Sequence, residues 1–229
     1  MNILSDDVKI LIRKLAIPAS VGTLFQTLYN IVDTFFAGKI SPEALAALTK
    51  SFPIYFILIA SSIGITVAGT SLIGNCIGEK KFNKATTYFC QLIFFSIILI
   101  LFITLIGLNF SDDVFKIMGS TDEVMNLGLD YTNIIFYGTF LFIIVVALNS
   151  LLHAEGDTKT YRNALIISFL LNIILNPILI FGFLFIPAFG MKGIGIATII
   201  AQSISLIIVF SKVIKSELTK KIIINNFFP

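Results

Sequence analysis

Long apolar runs separated by short clusters of charge, glycine and proline organise this chain from end to end. A helix crossing a hydrocarbon core of about 30 Å needs about 20 predominantly apolar residues. Six runs reach that length, near 15–37, 52–73, 86–108, 126–152, 164–186 and 193–214. Between them stand Gly38-Lys39 and Ser41-Pro42-Glu43, Gly78-Glu79-Lys80-Lys81, Ser111-Asp112-Asp113, Gly156-Asp157-Thr158-Lys159, and Pro187 through Gly190, which carry the breakers and charges that end helices. The runs do not alternate in period two, so a transmembrane barrel is excluded. The pattern predicts an all-α membrane protein with six transmembrane helices over residues 1–214 and a cytoplasmic connection over 215–229. Residues 5–14 read as a short amphipathic helix, with Ser5 as N-cap and Asp6 and Asp7 in its first turn. It either lies along the membrane surface or extends the first span.

Composition narrows the function classes. The chain is 57% hydrophobic and 13% charged, where a soluble domain carries about 45–50% apolar and 25% charged residues. The net charge of +3 is dispersed and supplies no basic stripe for nucleic acid. Cys76 and Cys90 lack the partners of a four-ligand metal site and read as spare or buried thiols. His153, the single histidine, sits where an apolar run meets a charged loop and suits an interfacial structural role. No nucleophile, metal cluster or acid pair lies at a common depth, and no glycine-rich phosphate loop occurs, so neither an enzyme nor ATP coupling is expected, and no cofactor. The first apolar segment is long, follows Asp6 and Asp7 and is one of several alike, so it is expected to stay in the mature protein.

Lys and Arg accumulate on the cytoplasmic side of short loops. Lys9, Arg13, Lys14, Lys80, Lys81, Lys84, Lys159, Arg162, Lys212, Lys215, Lys220 and Lys221 make twelve on one side; Lys39, Lys50, Lys116 and Lys192 make four on the other. Both termini are therefore expected in the cytoplasm, and the 109–125 connection outside.

Of the thirteen acidic residues only Asp33 and Asp130, each four residues from the end of its run, fall inside predicted spans. A charge at the centre of a membrane helix costs about 2.5–3.5 kcal/mol on insertion scales, and such residues usually face a bundle interior and serve transport. The alternative is that Asp33 sits near the helix end and reaches the headgroups. Residues three and four apart share a helix face, so Gln26, Tyr29, Asn30 and Asp33 form one polar stripe, Ser168, Asn172 and Asn176 a second, and Thr198, Gln202 and Ser205 a third. Three stripes point to a shared polar interior; taken singly, each Asn, Ser or Thr also fits hydrogen bonding between helices. Pro177 frees the carbonyl of Ile173, which serves cation coordination or packing alone.

Several ordered segments resemble the N-terminal half of the multidrug and toxic compound extrusion family, of the NorM/DinF type. They are Ile17-Pro18, then Leu28-Tyr29-Asn30-Ile31-Val32-Asp33-Thr34 with Gly38; Glu43-Ala44-Leu45-Ala46-Ala47; Gly156-Asp157-Thr158-Lys159; Asn172-Ile173-Ile174-Leu175-Asn176-Pro177; and Gly193-Ile194-Gly195-Ile196-Ala197-Thr198. The resemblance implies one six-helix lobe of a twelve-helix, two-lobe antiporter in the plasma membrane, exchanging amphipathic, often cationic compounds for protons or sodium ions. It implies a cation site, for H+ or Na+, at Asp33, Asn172, Asn176 and Thr198. Gln26, Tyr29, Asn30 and Gln202 are then candidates for a substrate cavity. Many prokaryotic members carry Asp where Asn176 stands, which reduces a carboxylate pair to one. Only one lobe is present, so a second six-helix lobe is expected downstream or on a separate chain. Two alternatives remain. A lipid-linked sugar flippase of the same superfamily expects a cationic cavity, which the absence of Lys or Arg within the spans, apart from Lys212 at the end of the last, opposes; a structural or assembly membrane protein would use the polar stripes only to hold helices together.

Overall fold

A hydrogen-bond cap stops a helix more firmly than the end of an apolar run does, and the observed elements follow the caps. The computed structural model describes residues 7–222 and residue 226. In chain order come α1 (Val8–Leu11), a π-helical turn (Ile12–Ala16), α2 (Ile17–Ile40), α3 (Pro42–Gly78), α4 (Phe82–Ile117), α5 (Asp122–Tyr137), α6 (Thr139–Ala154), α7 (Lys159–Phe181), α8 (Met191–Val213) and a 3-10 turn, Thr219–Lys221. α2, α3, α4, α7 and α8 are each long and apolar enough to cross a membrane, and α5 with α6 make a sixth span bent by 45°. Among the described residues the only strand-like pairing is a bridge between Phe183 and Ile186.

The boundaries depart from the predicted spans where caps override hydropathy. α3 starts ten residues before the predicted position 52 because Ser41 accepts from the Ala44 N–H at 3.1 Å, with Pro42 in the first turn and Glu43 at the positive end of the helix dipole. Ser111, Asp112 and Asp113, expected in a loop, are helical: α4 runs on to Ile117, and Gly119 then takes a left-handed φ of +62°. There the Lys50 ammonium donates to the carbonyls of Met118 and Gly119 at 3.1 and 3.2 Å. α7 stops at Phe181 rather than near 186, because Gly182 turns the chain at φ +82° into the Phe183–Ile186 bridge. Ser5 and Asp6 lie outside the described residues; Asp7 accepts from the Lys9 N–H at 3.0 Å, and α1 leads through the π turn into α2 as an extension of the first span.

Prolines and glycines shape the packing. Pro18 cannot donate to the carbonyl of Lys14, and the Thr158 hydroxyl lies 3.4 Å from that oxygen as its donor. One resembling segment thus completes another across 144 residues of sequence. At the bend after α5, the Phe136 carbonyl accepts from Thr139 at 2.8 Å and from Thr104 at 3.3 Å, so the broken ladder is satisfied within the protein. A Cβ on Gly193 would stand 2.7 Å from the backbone of Leu179, which shows how closely α7 and α8 approach. Two apolar clusters stack along the bundle: one joins Ala37, Leu48, Ile103, Phe136 and Ile194, the other Ile73, Phe89, Leu151, Ala164 and Val209. Cys76 and Cys90 are free and buried.

At the end of the bundle that holds the 79–81 and 155–158 connections, the segment after α8 folds back. Leu218 is buried, its carbonyl accepts from Thr86 at 3.2 Å, and Ser216 hydrogen-bonds Glu155. Burial pushes the Glu155 carboxyl above its ordinary range, against the Ser216 hydroxyl. Burial also pushes Asp157 up, but the Thr160 hydroxyl and N–H and the charge of Lys212 hold it below the usual carboxylate range. His153 takes the structural place expected of it, 3.2 Å from the Asn149 amide and edge-on to Tyr161.

Candidate cation site

The buried face of α2 is a helical stripe of Pro18, Gly22, Tyr29, Asp33 and Ala37, laid against α7. Asp33 stands seven residues before the end of α2, about 10 Å at 1.5 Å per residue, and is 4% exposed. Its carboxylate is therefore enclosed by the neighbouring helices. On α7, Asn172 and Asn176 lie one turn apart and share a face; both are wholly buried. α8 supplies Thr198.

These side chains converge on one carboxylate. The Asn172 and Asn176 amides each donate to Asp33 Oδ1 at 2.9 Å, and the Thr198 hydroxyl donates to Oδ2 at 3.3 Å. Asn176 also donates to Asn172 Oδ1 at 3.1 Å. An ionised carboxylate only accepts, so both amides turn their NH2 groups toward it. Hydrogen bonds to a charged group contribute about 1.5–3 kcal/mol each, yet burying an unpaired ion costs far more. Among the described residues Asp33 forms no ion pair. Among the described residues, neutral side-chain donors alone hydrogen-bond this carboxylate.

Two residues of the site carry further buried oxygens: Tyr29 Oη, beside Thr198 and Asn172, and Asn176 Oδ1, which accepts no hydrogen bond because the amide turns its nitrogen to Asp33. Oxygens are the donors that hard cations take. Among the described residues no cluster of three His, Cys, Asp or Glu could hold a metal ion.

The polar stripes divide. Tyr29, expected in a substrate cavity, instead belongs to the Asp33 cluster. Gln26 and Asn30 lie on the exposed face of α2, and Gln202 is half-buried. Ser168 donates to the Ala201 carbonyl at 2.9 Å and so joins α7 to α8 as a packing bond. Sequence reasoning missed Tyr131, buried on α5 within electrostatic reach of Asp33 and edge-on to Tyr55 with ring centroids 6.0 Å apart. Its polar oxygen in a span was the available signal, masked by its polar neighbours Asp130 and Thr132.

Comparison with known proteins places the arrangement. "Probable multidrug resistance protein YoeA" of Bacillus subtilis is 30% identical over 186 residues, covering 81% of this chain and 40% of that protein. The "FAD transporter" of Shewanella oneidensis is 26% identical over 205 residues, covering 90% of this chain and 45% of the relative. A crystal structure of "MATE in the straight conformation" superimposes with a TM-score of 0.88 at 30% identity, over 99% of this chain and 50% of the other. The chain spans about half the length of the relatives it matches. The MatE family model matches residues 18–178, well over half of the sequence, and the chain belongs to that family.

Proposed function

We propose that this chain is the N-terminal lobe of a secondary active exporter of amphipathic, often cationic compounds, with Asp33 as the residue that couples export to an inward cation gradient. The observation that carries this reading is the buried Asp33 carboxylate, which has three neutral donors and no ion pair among the described residues. Such a group gains from taking up a proton or a sodium ion and loses by holding neither. A proton needs only the carboxylate. Sodium would be held by Asp33 with Asn176 Oδ1, Tyr29 Oη and Thr198 Oγ1, the amides turning their oxygens inward. With Asn176 in place of Asp, the site carries one elementary charge.

The exposed amides of Gln26 and Asn30 support a second lobe, since unsatisfied amides facing hydrocarbon are costly. They suit the wall of a water-filled cavity between two lobes, with substrate on it. The twelve-to-four distribution of Lys and Arg supports a cytoplasmic-membrane orientation with both termini inside. The relatives' names include both multidrug resistance and FAD transport, compounds that share an amphipathic character. Among the described residues no Lys or Arg is buried, which disfavours a flippase for anionic lipid-linked sugars.

The test restores the second lobe, substitutes Asp33→Asn, and measures substrate export against imposed proton and sodium gradients alongside membrane expression. Gradient-driven export should vanish in a normally expressed variant. Wild-type export by that variant would return Asp33 and its partners to helix-to-helix adhesion.

A further inference from the structure

We propose that the groove between α4, α6 and α8 holds an acyl chain of an anionic phospholipid, with its headgroup at Lys220. The groove encloses about 390 Å³ and is walled by apolar side chains, among them Ile93, Leu148, Phe210 and Ile214, with Thr219 and Lys220 at one end. Ile93 lies eleven residues into α4 from Phe82, about 16 Å at 1.5 Å per residue. The cavity therefore reaches from the end of the bundle well into the depth of one leaflet.

What covers this face follows from the contrast with α2. The unpaired polar face of the lobe is the one bearing Gln26 and Asn30, and that face suits a second lobe. The groove's flanks are apolar and open, with Phe210 52%, Ile214 53% and Ile207 61% exposed. In a multi-pass membrane protein such a face meets lipid, and an apolar slot in it is filled by an alkyl chain. Charge selects which lipid. Over residues 212–221 the sequence places Lys212, Lys215, Lys220 and Lys221 against Glu217, and of these lysines Lys212 lies 3.8 Å from Asp157. Lys220 pairs with Glu217 at 2.6 Å, but both side chains are exposed, at 57% and 80%. An exposed pair of this kind contributes little and yields to a phosphate. Basic residues at the mouth of a pocket between membrane helices bind anionic headgroups.

The chain contains no tryptophan, so a single Phe210→Trp substitution reports on the groove by fluorescence. Phe102→Trp, on the exposed face of α4, reports on bulk lipid. Each variant of the chain is reconstituted in mixed phosphatidylglycerol and phosphatidylcholine vesicles with one or the other lipid brominated. At Phe210→Trp, brominated phosphatidylglycerol should quench with a relative association constant of about five, the effect of one lysine at a membrane surface. Lys220→Gln should bring that ratio to about one and leave Phe102→Trp unchanged. Equal quenching by the two lipids in the groove, or a preference that survives Lys220→Gln, overturns the proposal. So does quenching by neither lipid in the groove while Phe102→Trp is quenched normally, because protein would then occupy it. If Phe210→Trp fails to reconstitute, Ile214→Trp gives the same readout from the same groove.

Discussion

Replacing Asn176 by Asp puts a second carboxylate where an amide nitrogen now stands, 2.9 Å from Asp33 Oδ1. Two unit charges at that separation repel by about 6 kcal/mol at an effective dielectric of about 20, before any relaxation. The substitution also removes a donor to Asp33 and a donor to Asn172 Oδ1. Such a pair cannot stay doubly ionised and empty, so Asn176→Asp should make the fold depend on a bound cation far more than the wild type does. A ligand present at a hundredfold excess over its dissociation constant adds about 2.7 kcal/mol, and in a chain of this size each kcal/mol moves the melting temperature by about 2–4 °C. Thermal unfolding in detergent, with sodium exchanged for choline, should therefore show a sodium-dependent rise larger in the variant by on the order of 5–10 °C. A proton shared by the two carboxyls relieves the same repulsion, so that excess should shrink as the pH is lowered. A variant that melts at the wild-type temperature in choline at neutral pH, with no added response to sodium or acid, would refute the charge accounting and with it the placement of the cation.

Three other outcomes follow from the packing, the capping and the charge distribution. Gly193→Ala forces a Cβ to 2.7 Å from the Leu179 backbone, which cannot rotate away, whereas Gly138→Ala chiefly meets the Ile199 side chain, whose far end can. The first should lower the melting temperature by the equivalent of about 1–3 kcal/mol and the second by clearly less. Asp157 accepts from the N–H groups of Lys159 and Thr160 at 3.1 and 3.0 Å and caps α7, so Asp157→Ala should cost about 1 kcal/mol at neutral pH. Because its carboxyl lies below the usual range, that contribution is complete above the unfolded value of about 3.9 and is lost as pH falls through the lower folded value; melting curves of wild type and variant should converge in strong acid. Finally, a cysteine at position 112 should react with an impermeant reagent from outside intact cells, and tags at both termini and in 79–84 should be reachable only from within; labelling in the opposite sense would reverse the topology.

The six spans were legible because apolar length is itself the requirement for crossing a bilayer. Their ends were less so. Asp112 and Asp113 looked like a loop on charge, but a helix that has left the membrane loses nothing by carrying charge, and only the Lys50 contacts and Gly119 stop it. The site was legible in its chemistry, since Asp33, Asn172, Asn176 and Thr198 could be picked out by polarity and resemblance. The stripe around Asp33 was half misleading: all four side chains fall within about 100° of the helix circumference, yet α7 and α8 cover only Tyr29 and Asp33 and leave Gln26 and Asn30 exposed, a division that spacing along one helix cannot show. The bend at Gly138 left no clear sign because its hydrogen bonds come from Thr104 and Thr139, ordinary residues whose role exists only once the helices meet.

The wide sequence separation of Asp33 from its partners has a consequence for biosynthesis. Asn172, Asn176 and Thr198 follow it by 139, 143 and 165 residues, so at about 5–20 residues per second the ribosome delivers the first of them about 7–28 s after Asp33. During that interval the first span carries its carboxylate with no donor from α7 or α8, at the insertion cost of a solitary acid. The first span is thus the earliest to be made, and its buried carboxylate is among the last groups of the lobe to gain its partners.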